Sequence, residues 1–313
     1  MRYIILLLLI FGCKEKPSLK DSINLTYYGA AGWEINDENT TVLLDPYISR
    51  IKLVGSSTTA TVTSSDIQNL GQTDDRPSYN REDFYVTDTV VVDKYIKKAD
   101  YIFVHHTHFD HAADVPYIAK KTGAVVIGTE SMANLLKAHG IPGNQIITVK
   151  GGEDYQFEHF SVKVIPSLHS ALRNKLYFNS GIISADHKIP LKIKDYVEGN
   201  SLMFYFRFKS KNILTMGSMN FIEDNIKGLE PNILLAGSAN SRKNMYKYNE
   251  RLLSSTGYPE IIIPTHWDNF RVPYGFSQDK DIKSKALPFI QEVEKLNIRS
   301  KIILPKHLET LSF

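Results

Sequence analysis

The chain has 313 residues, 42% of them hydrophobic and 23% charged, so it is long enough to bury one large core or two modest ones. Its net charge of +3 comes from 37 basic and 34 acidic residues without a long basic run, which argues against nucleic acid as a partner. Cys13 is the single cysteine, which excludes an intramolecular disulfide.

The N-terminal residues have the pattern of a secretory signal peptide. Arg2 precedes an apolar run over residues 3–11, which is too short to span a bilayer, where about 20 residues are needed. The stretch Ile10-Phe11-Gly12-Cys13 resembles a bacterial lipobox, and this resemblance implies that Cys13 receives lipid and becomes the mature N-terminus. We therefore predict a lipid-anchored protein of the bacterial cell envelope, with an uncleaved signal anchor as the alternative.

These features divide the chain into a signal peptide over 1–12, a tether over 13–22 and a folded domain over 23–313. A polar segment rich in Ser and Thr forms a predicted insertion around 50–95. Loops of this length in a compact domain are often lids or binding loops, and an insertion without a role is the equal alternative.

Within the domain, apolar runs and helix boundaries predict alternating strands and helices. The predicted strands are Ile23–Tyr28, Thr41–Leu44, Tyr101–Val104, Ala124–Ile127, Ile146–Val149, Ser161–Ile165, Leu202–Phe208, Asn212–Met216, Asn232–Leu235 and Ile261–Ile263. The predicted helices are Val115–Lys121, Glu130–His139, Tyr246–Leu253 and a segment over 280–296 that Pro288 should kink. This alternation predicts a layered α/β domain.

Four histidines lie within seven residues directly after the strand that begins at Tyr101. They belong to the stretch His105-His106-Thr107-His108-Phe109-Asp110-His111. On an extended segment His106 and His108 face the same way, whereas a turn or helix start can aim Asp110 and His111 at a neighbouring point. Imidazole and carboxylate are common ligands of zinc and similar ions, so this stretch predicts a metal site, with room for two adjacent metals.

Two later histidines repeat the arrangement of an apolar strand followed by a histidine. His169 follows the strand Ser161–Ile165, and His266 follows Ile261–Ile263. Strand ends at one edge of a sheet are a common place for sites in α/β proteins, so we predict both histidines as further ligands.

The hexapeptide from His106 to His111, followed by His169 and His266, resembles the metallo-β-lactamase superfamily in motif and order. The opening strands, Asp45-Pro46 and the late Ile-Pro-Thr-His stretch are most similar to the branch of ascorbate-6-phosphate lactonase and N-acylphosphatidylethanolamine-hydrolysing phospholipase D. The resemblance implies a four-layer αββα sandwich with a dinuclear metal site.

The resemblance also implies the roles of individual residues. His106, His108 and His169 would hold one metal, and Asp110, His111 and His266 the other. One or two Zn²⁺ ions are expected, with iron or manganese as alternatives. A metal-bound hydroxide would attack an ester, lactone, amide or phosphodiester in a small-molecule or lipid-derived substrate, and Asp110 would orient or deprotonate this nucleophile.

One position departs from the family pattern. The family places a metal-bridging aspartate after a strand in the second half, where this chain has Ser218. Asp268 or Asp186 is a possible replacement, although a solvated surface acid is the expectation for both. His105 is expected beside the site, and His187 is expected in an ordinary loop.

Ser218 keeps a second hypothesis open, a non-catalytic or mononuclear ligand-binding lipoprotein of the same fold. In either case aromatic side chains are candidates for the pocket walls. These candidates are Tyr79, Phe84, Tyr85, Trp267, Phe270 and Tyr274.

Overall fold

A computed structural model describes residues 22–54 and 73–313. The predicted signal peptide over 1–12, the lipid-bearing Cys13 and the tether up to residue 21 lie outside the described residues, as do residues 55–72 of the predicted insertion.

The described strands are β1 (Asn24–Gly29), β2 (Gly32–Asn36), β3 (Thr41–Leu44), β4 (Lys52–Leu53), β5 (Ser78–Tyr79), β6 (Tyr101–Phe103), β7 (Val125–Gly128), β8 (Ile146–Thr148), β9 (Asp154–Gln156), β10 (Ser161–Ser167), β11 (Ser201–Arg207), β12 (Asn212–Met216), β13 (Ile233–Gly237), β14 (Ile261–Thr265), β15 (Lys301–Ile302) and β16 (Thr310–Ser312). The helices are α1 (Thr89–Tyr95), α2 (Phe109–Ala112), α3 (Val115–Thr122), α4 (Glu130–Ala138), α5 (Glu223–Ile226), α6 (Tyr248–Ser255), α7 (Asp279–Asp281) and α8 (Leu287–Glu294). Short 3₁₀ turns cover Gly143–Gln145, Ile193–Asp195 and Asn240–Asn244, and a π-helix covers Ile282–Ala286.

Fourteen of the described strands form two large mixed sheets of seven strands each, and β4 pairs with β5 in a small third sheet. The first has the order β16-β1-β2-β3-β6-β7-β8, and the second the order β15-β14-β13-β12-β11-β10-β9. In the first sheet β3 and β6 are parallel. In the second, β12, β13 and β14 are parallel, and β10 runs in the same direction because β11 is antiparallel to both β10 and β12. The carboxyl ends of β10, β12 and β14 therefore lie at one edge of the second sheet.

Three apolar cores separate the layers. One lies between the sheets, where Phe103 of β6 meets Phe204 and Phe206 of β11 at ring-centroid distances of 5.1 and 4.9 Å. The alternate residues of β11, Met203 and Tyr205, face a second core under α5, α6 and α8. A third core packs α3 and α4 against the outer face of the first sheet. The predicted α/β class and the helix-sheet-sheet-helix layering are confirmed.

Several predicted elements differ in detail from the observed ones. The opening contains an additional strand, β2, which pairs with both β1 and β3. β9, β15 and β16 were also missed, since each has only two or three residues. The helical segment after residue 279 widens into a π-helix just before Pro288, which lies in the first turn of α8. A kink at this proline was predicted, because proline lacks the N–H that an α-helix needs.

The described part of the segment over 50–95 is built into the fold. The side chains of Arg50, Ile51, Leu53, Tyr85 and Val92 are buried, and α1 packs its Val92 into the core on the outer face of the first sheet. These buried contacts were not predicted, because the sequence of this segment is polar and has few apolar positions. In the described residues the structure has no helix that is both long and apolar enough to cross a membrane.

Candidate metal centre

The histidine cluster begins where β6 ends and continues into α2. His106 and His108 precede the helix, and His108 is its N-cap residue. Asp110 and His111 lie in the first turn, which the bond from Ala112 N to His108 O closes at 3.0 Å. This turn directs Asp110 and His111 away from the extended segment, as the spacing predicted.

The first group of potential ligands is formed by His106, His108 and His169, each of which offers a ligand atom within 4.8 Å of the others. His106 Nε2 lies 3.1 Å from His108 Nδ1. The His169 ring, at the end of β10, lies 4.8 Å from that of His106 and 4.7 Å from that of His108, centroid to centroid. All three rings line one cavity.

The second group joins Asp110 and His111 to His266, again with ligand atoms within 4.8 Å of one another. Asp110 Oδ2 is 3.4 Å from His266 Nε2 and 3.7 Å from His111 Nε2. His266 directly follows β14 and adopts a left-handed backbone with φ of 59°, while its N–H donates to the Ala30 carbonyl at 2.7 Å. A strained backbone held by a specific hydrogen bond is common at functional sites.

Asp45, at the end of β3, organises both the cluster and its neighbourhood. Its Oδ2 accepts hydrogen bonds from His111 Nδ1 at 2.6 Å and from His105 Nδ1 at 2.7 Å, and its Oδ1 accepts from the His105 N–H. His105 Nε2 lies 2.8 Å from Thr215 Oγ1, so His105 is a buried neighbour of the site, as expected. Asp45 holds the proton of His111 on Nδ1, which leaves Nε2 for a metal.

Asp45 was noted in the sequence only as part of the family resemblance, and this role was not predicted. A polar residue directly after a buried strand that pairs with β6 is the signal that would have found it. That signal depends on the parallel β3–β6 pairing, which brings residues 60 positions apart into contact.

Ser218 lies just after β12, on the wall of the same cavity. Its Oγ accepts a hydrogen bond of 2.9 Å from the N–H of Ser170, the residue after His169. Gly217 precedes it, and a Cβ there would lie 2.3 Å from His105 Cβ, so a larger residue would push the strand end away from the cluster. A neutral hydroxyl therefore stands in this wall, held against the His169 loop.

The electrostatics of the cluster favour neutral imidazoles at His106, His108 and His169 and a charged carboxylate at Asp110. Burial, together with neighbouring histidines, lowers the pKa of His106 well below its usual value, that of His108 to about 4 and that of His169 to about 3. Burial would raise the pKa of Asp110, but the adjacent His111 and His266 more than offset this and lower it. Burial opposes charge on His111 too, yet Asp45 and Asp110 raise its pKa.

These donors suit a divalent metal. Neutral imidazoles and an ionised carboxylate are the protonation states that ligate zinc, iron or manganese. His106 Nε2 and His108 Nδ1 face each other at 3.1 Å in two rings whose low pKa values favour the neutral form, as two ligands of one ion would. The His169 Nδ1 donates to the Ser170 carbonyl at 2.9 Å, which leaves its Nε2 for a ligand.

The cavity in front of the two groups has a volume of about 230 Å³. Of the six aromatic residues proposed for its walls, Phe270 lines it and the other five do not. Trp267 and Tyr85 are buried in the interior, Tyr274 donates to the Tyr28 carbonyl, and Phe84 is exposed. Tyr79 packs against the core on the outer face of the first sheet. The lining also contains residues that were not predicted, including Arg81, Phe178, Tyr196 and Arg271.

The two acids considered as replacements for the bridging aspartate have different surroundings. Asp186 is exposed in a loop, as expected, and its neighbour His187 bonds within that loop to Ser184 O. The expectation that Asp268 is a solvated surface acid was wrong. Asp268 is buried and accepts hydrogen bonds from Arg50, Tyr27, His307 and the Ala30 N–H, so its carboxylate is fully engaged behind the His266 loop.

Comparisons with known proteins identify relatives of this chain. The model of a family described as a beta-lactamase superfamily domain matches residues 24–266. A UPF0173 metal-dependent hydrolase of Staphylococcus aureus is 41% identical over 75 residues, which are 24% of this chain and 32% of that protein. The chain thus spans about a third of the length of the curated relatives it matches.

Among solved structures, Igni18, a metallo hydrolase from the archaeon Ignicoccus hospitalis, superposes with a TM-score of 0.58 at 18% identity, over 93% of this chain and 98% of that one. An isothiocyanate hydrolase from Delia radicum gut bacteria gives 0.57 at 16% identity, over 93% and 99%. At such identities these likenesses concern the fold.

Proposed function

The chain belongs to the beta-lactamase superfamily, and from this membership and the geometry of its cluster we propose that it is a metal-dependent hydrolase. The observation that carries the proposal is the meeting of two three-ligand groups on one cavity, with an ionised Asp110 in the second group. The names of the relatives and neighbours, metal-dependent hydrolase and metallo hydrolase, support the same reading.

We propose that the ligands are His106, His108 and His169 in one group and Asp110, His111 and His266 in the other. Zn²⁺ is the proposed metal, in one or two equivalents, with iron or manganese as alternatives. A divalent ion bound there would acidify a water molecule and polarise the bond to be cleaved.

The protein's own residues prepare this chemistry. Asp45 fixes the tautomer of His111, and the Ser170 carbonyl fixes that of His169, so a ligating nitrogen of each ring is oriented in advance. The carboxylate of Asp110, charged at neutral pH, is placed to orient a nucleophile or accept its proton. Apolar side chains, among them Phe109, Phe178 and Phe270, line the same cavity and lower the local polarity around these charges.

The proposed reaction is hydrolysis of an ester, lactone, amide or phosphodiester in a small-molecule or lipid-derived substrate. Within the superfamily we propose the branch of ascorbate-6-phosphate lactonase and the phospholipase D named above, on the strength of Asp45-Pro46 and the Ile-Pro-Thr-His stretch. The name of one structural neighbour, isothiocyanate hydrolase, adds that substrate class to the set to be screened.

The test is turnover by purified, metal-loaded protein on a panel of these substrates. His108→Ala should abolish the activity, since it removes a ligand from the first group. His159→Ala is the matched control, because His159 is an exposed histidine outside the cluster. Binding of substrates without turnover, under zinc, iron or manganese, would instead favour the ligand-binding lipoprotein.

We also propose that the protein is anchored to an envelope membrane through lipid on Cys13. The lipobox-like Ile10-Phe11-Gly12-Cys13 supports this proposal. Cys13→Ser should move the protein from the membrane fraction to the soluble fraction and prevent incorporation of labelled palmitate, whereas a variant that remains labelled and membrane-bound would overturn the proposal.

A further inference from the structure

Two arginines, Arg81 and Arg271, line the same cavity as the six potential ligands. They come from distant parts of the chain: Arg81 follows β5, and Arg271 lies in the loop after His266. Each guanidinium lies over an aromatic ring of the cavity wall, Arg81 over Phe178 at 4.7 Å and Arg271 over Phe270 at 5.8 Å. Such stacking fixes the plane of each guanidinium, and in Arg81 it leaves the N–H edge oriented for a ligand.

The two charges are close enough to affect one another. Burial lowers the pKa of Arg271, Arg81 lowers it further, and Asp110 opposes both. In the part of the chain that the structure describes, the Arg81 guanidinium has no hydrogen bond or salt bridge, because the neighbouring Glu82 bonds to Lys192 and Lys194 instead. Two positive charges at one small cavity attract an anionic ligand into it.

The rest of the lining is mostly apolar and includes Leu53, Phe109, Leu172, Ile193 and Met219. The cavity is smaller than the roughly 300–1,000 Å³ of sites for drug-sized ligands, at about 230 Å³. A compact apolar body with one anionic group would match both the lining and the charges.

We propose that Arg81 and Arg271 form an anion-binding subsite, and that the substrate carries a carboxylate or phosphate group beside the bond to be cleaved. The anion-binding subsite is inferred from the cavity alone. That the anion is part of a substrate rests on the proposed function. Planar guanidinium groups bind either anion through paired N–H donors.

The test is equilibrium binding to the metal-loaded protein of three probes with similar apolar chains: hexanoate, pentyl phosphate and neutral hexanamide. At least one anion should bind about tenfold or more tightly than hexanamide, and the better of the two identifies the preferred group. Arg81→Gln and Arg271→Gln should each weaken that anion about tenfold and leave hexanamide within about twofold. Arg299→Gln, at an exposed arginine, is the control for net charge and should change neither.

Unchanged anion affinity in both glutamine variants would overturn the subsite, since the anion would then be held by the metals alone. Arg271 is largely buried, so Arg271→Lys provides a second variant that keeps the charge; it should bind the anion more tightly than Arg271→Gln does. Binding is measured without turnover, so the two proposals can fail separately. A protein that hydrolyses substrates but does not prefer anions would overturn the subsite only. A protein that prefers anions but hydrolyses nothing would overturn the proposed function only.

Discussion

Nδ1 of His111 donates a hydrogen bond of 2.6 Å to the carboxylate of Asp45, which also binds His105. We expect Asp45→Asn to lower metal affinity about 10- to 100-fold, because the amide lacks the charge that fixes the His111 ring. Asp45→Ala should lower it further, since two buried ring N–H groups lose their acceptor. Zinc competition titration measures this effect, and Asp279→Asn, at an exposed carboxylate, should leave affinity unchanged.

The metal-free protein should be sensitive to mild acid. The folded-state pKa values of His106, His108 and His169 lie below their usual value, so the unfolded chain takes up protons first as pH falls. Above about pH 6.5 these histidines are neutral in both states and do not affect stability. As the pH falls from about 6.5 towards about 4 for His108 and about 3 for His169, protonation of the unfolded chain lowers the free energy of unfolding, by up to about 1.4 kcal/mol per pH unit for each histidine. The raised pKa of His111 has the opposite effect: its stabilising contribution is complete below about pH 6.5 and is lost as the pH rises above that value.

Urea unfolding of chelator-treated protein between pH 7 and 5 measures this loss. His108→Ala should make the pH dependence shallower, and His159→Ala should not. A free energy of unfolding that stays constant over this range would contradict the prediction.

The Arg50–Asp268 pair predicts a large effect on stability. The atoms Arg50 Nη2 and Asp268 Oδ2 are 2.9 Å apart, and the pair is buried. Asp268→Ala should destabilise the fold by about 3–5 kcal/mol, because it leaves the guanidinium buried without its counter-charge. Lys98→Ala, which breaks the exposed Lys98–Asp100 pair, should change stability by less than about 1 kcal/mol. Equal effects in the two variants would show that burial does not matter here.

The number of metal ions bound per chain should depend on Ser218. Its hydroxyl is neutral and accepts a hydrogen bond from the Ser170 N–H, so it supplies no negative charge to hold two cations together. We expect about one tightly held equivalent of metal in the natural protein and about two in Ser218→Asp, by elemental analysis after dialysis. Ser218→Asn introduces an uncharged side chain of about the size of aspartate, and this variant should bind as much metal as the natural protein. Two tight equivalents in the natural protein would contradict the prediction.

The sequence predicted those parts of the site that follow from local pattern. His106, His108, Asp110 and His111 lie within one short stretch after an apolar strand, and His169 and His266 repeat that arrangement. The fold brings all six residues together: the histidine stretch follows β6 of the first sheet, and His169 and His266 follow β10 and β14, whose carboxyl ends lie at one edge of the second sheet.

Residues whose roles depend on distant partners were missed or misread. Asp268 is buried only because Arg50, 218 positions earlier, neutralises it. Asp45 acts through a strand pairing between the histidine stretch and a much earlier strand. Arg81 and Arg271 line the same cavity, although they are far apart in the sequence and belong to no recognisable motif. Aromatic content alone could not separate Phe270, in the cavity, from Trp267, in the interior.

The pairing of β1 with β16 has a consequence for the order of assembly during biosynthesis. Ser312 Oγ donates to Asn24 Oδ1 across a separation of 288 residues, and His307 bonds to Asp268 behind the His266 loop. While the ribosome is still synthesising the second sheet, β1 has β2 on one side and lacks its other neighbour. The contacts that complete the first sheet and brace the His266 loop thus form after translation of nearly the whole chain, and closing so long a loop is slow. The first of the described strands is thus completed by one of the last, and a chain cut before β16 would leave β1 without one of its two neighbours.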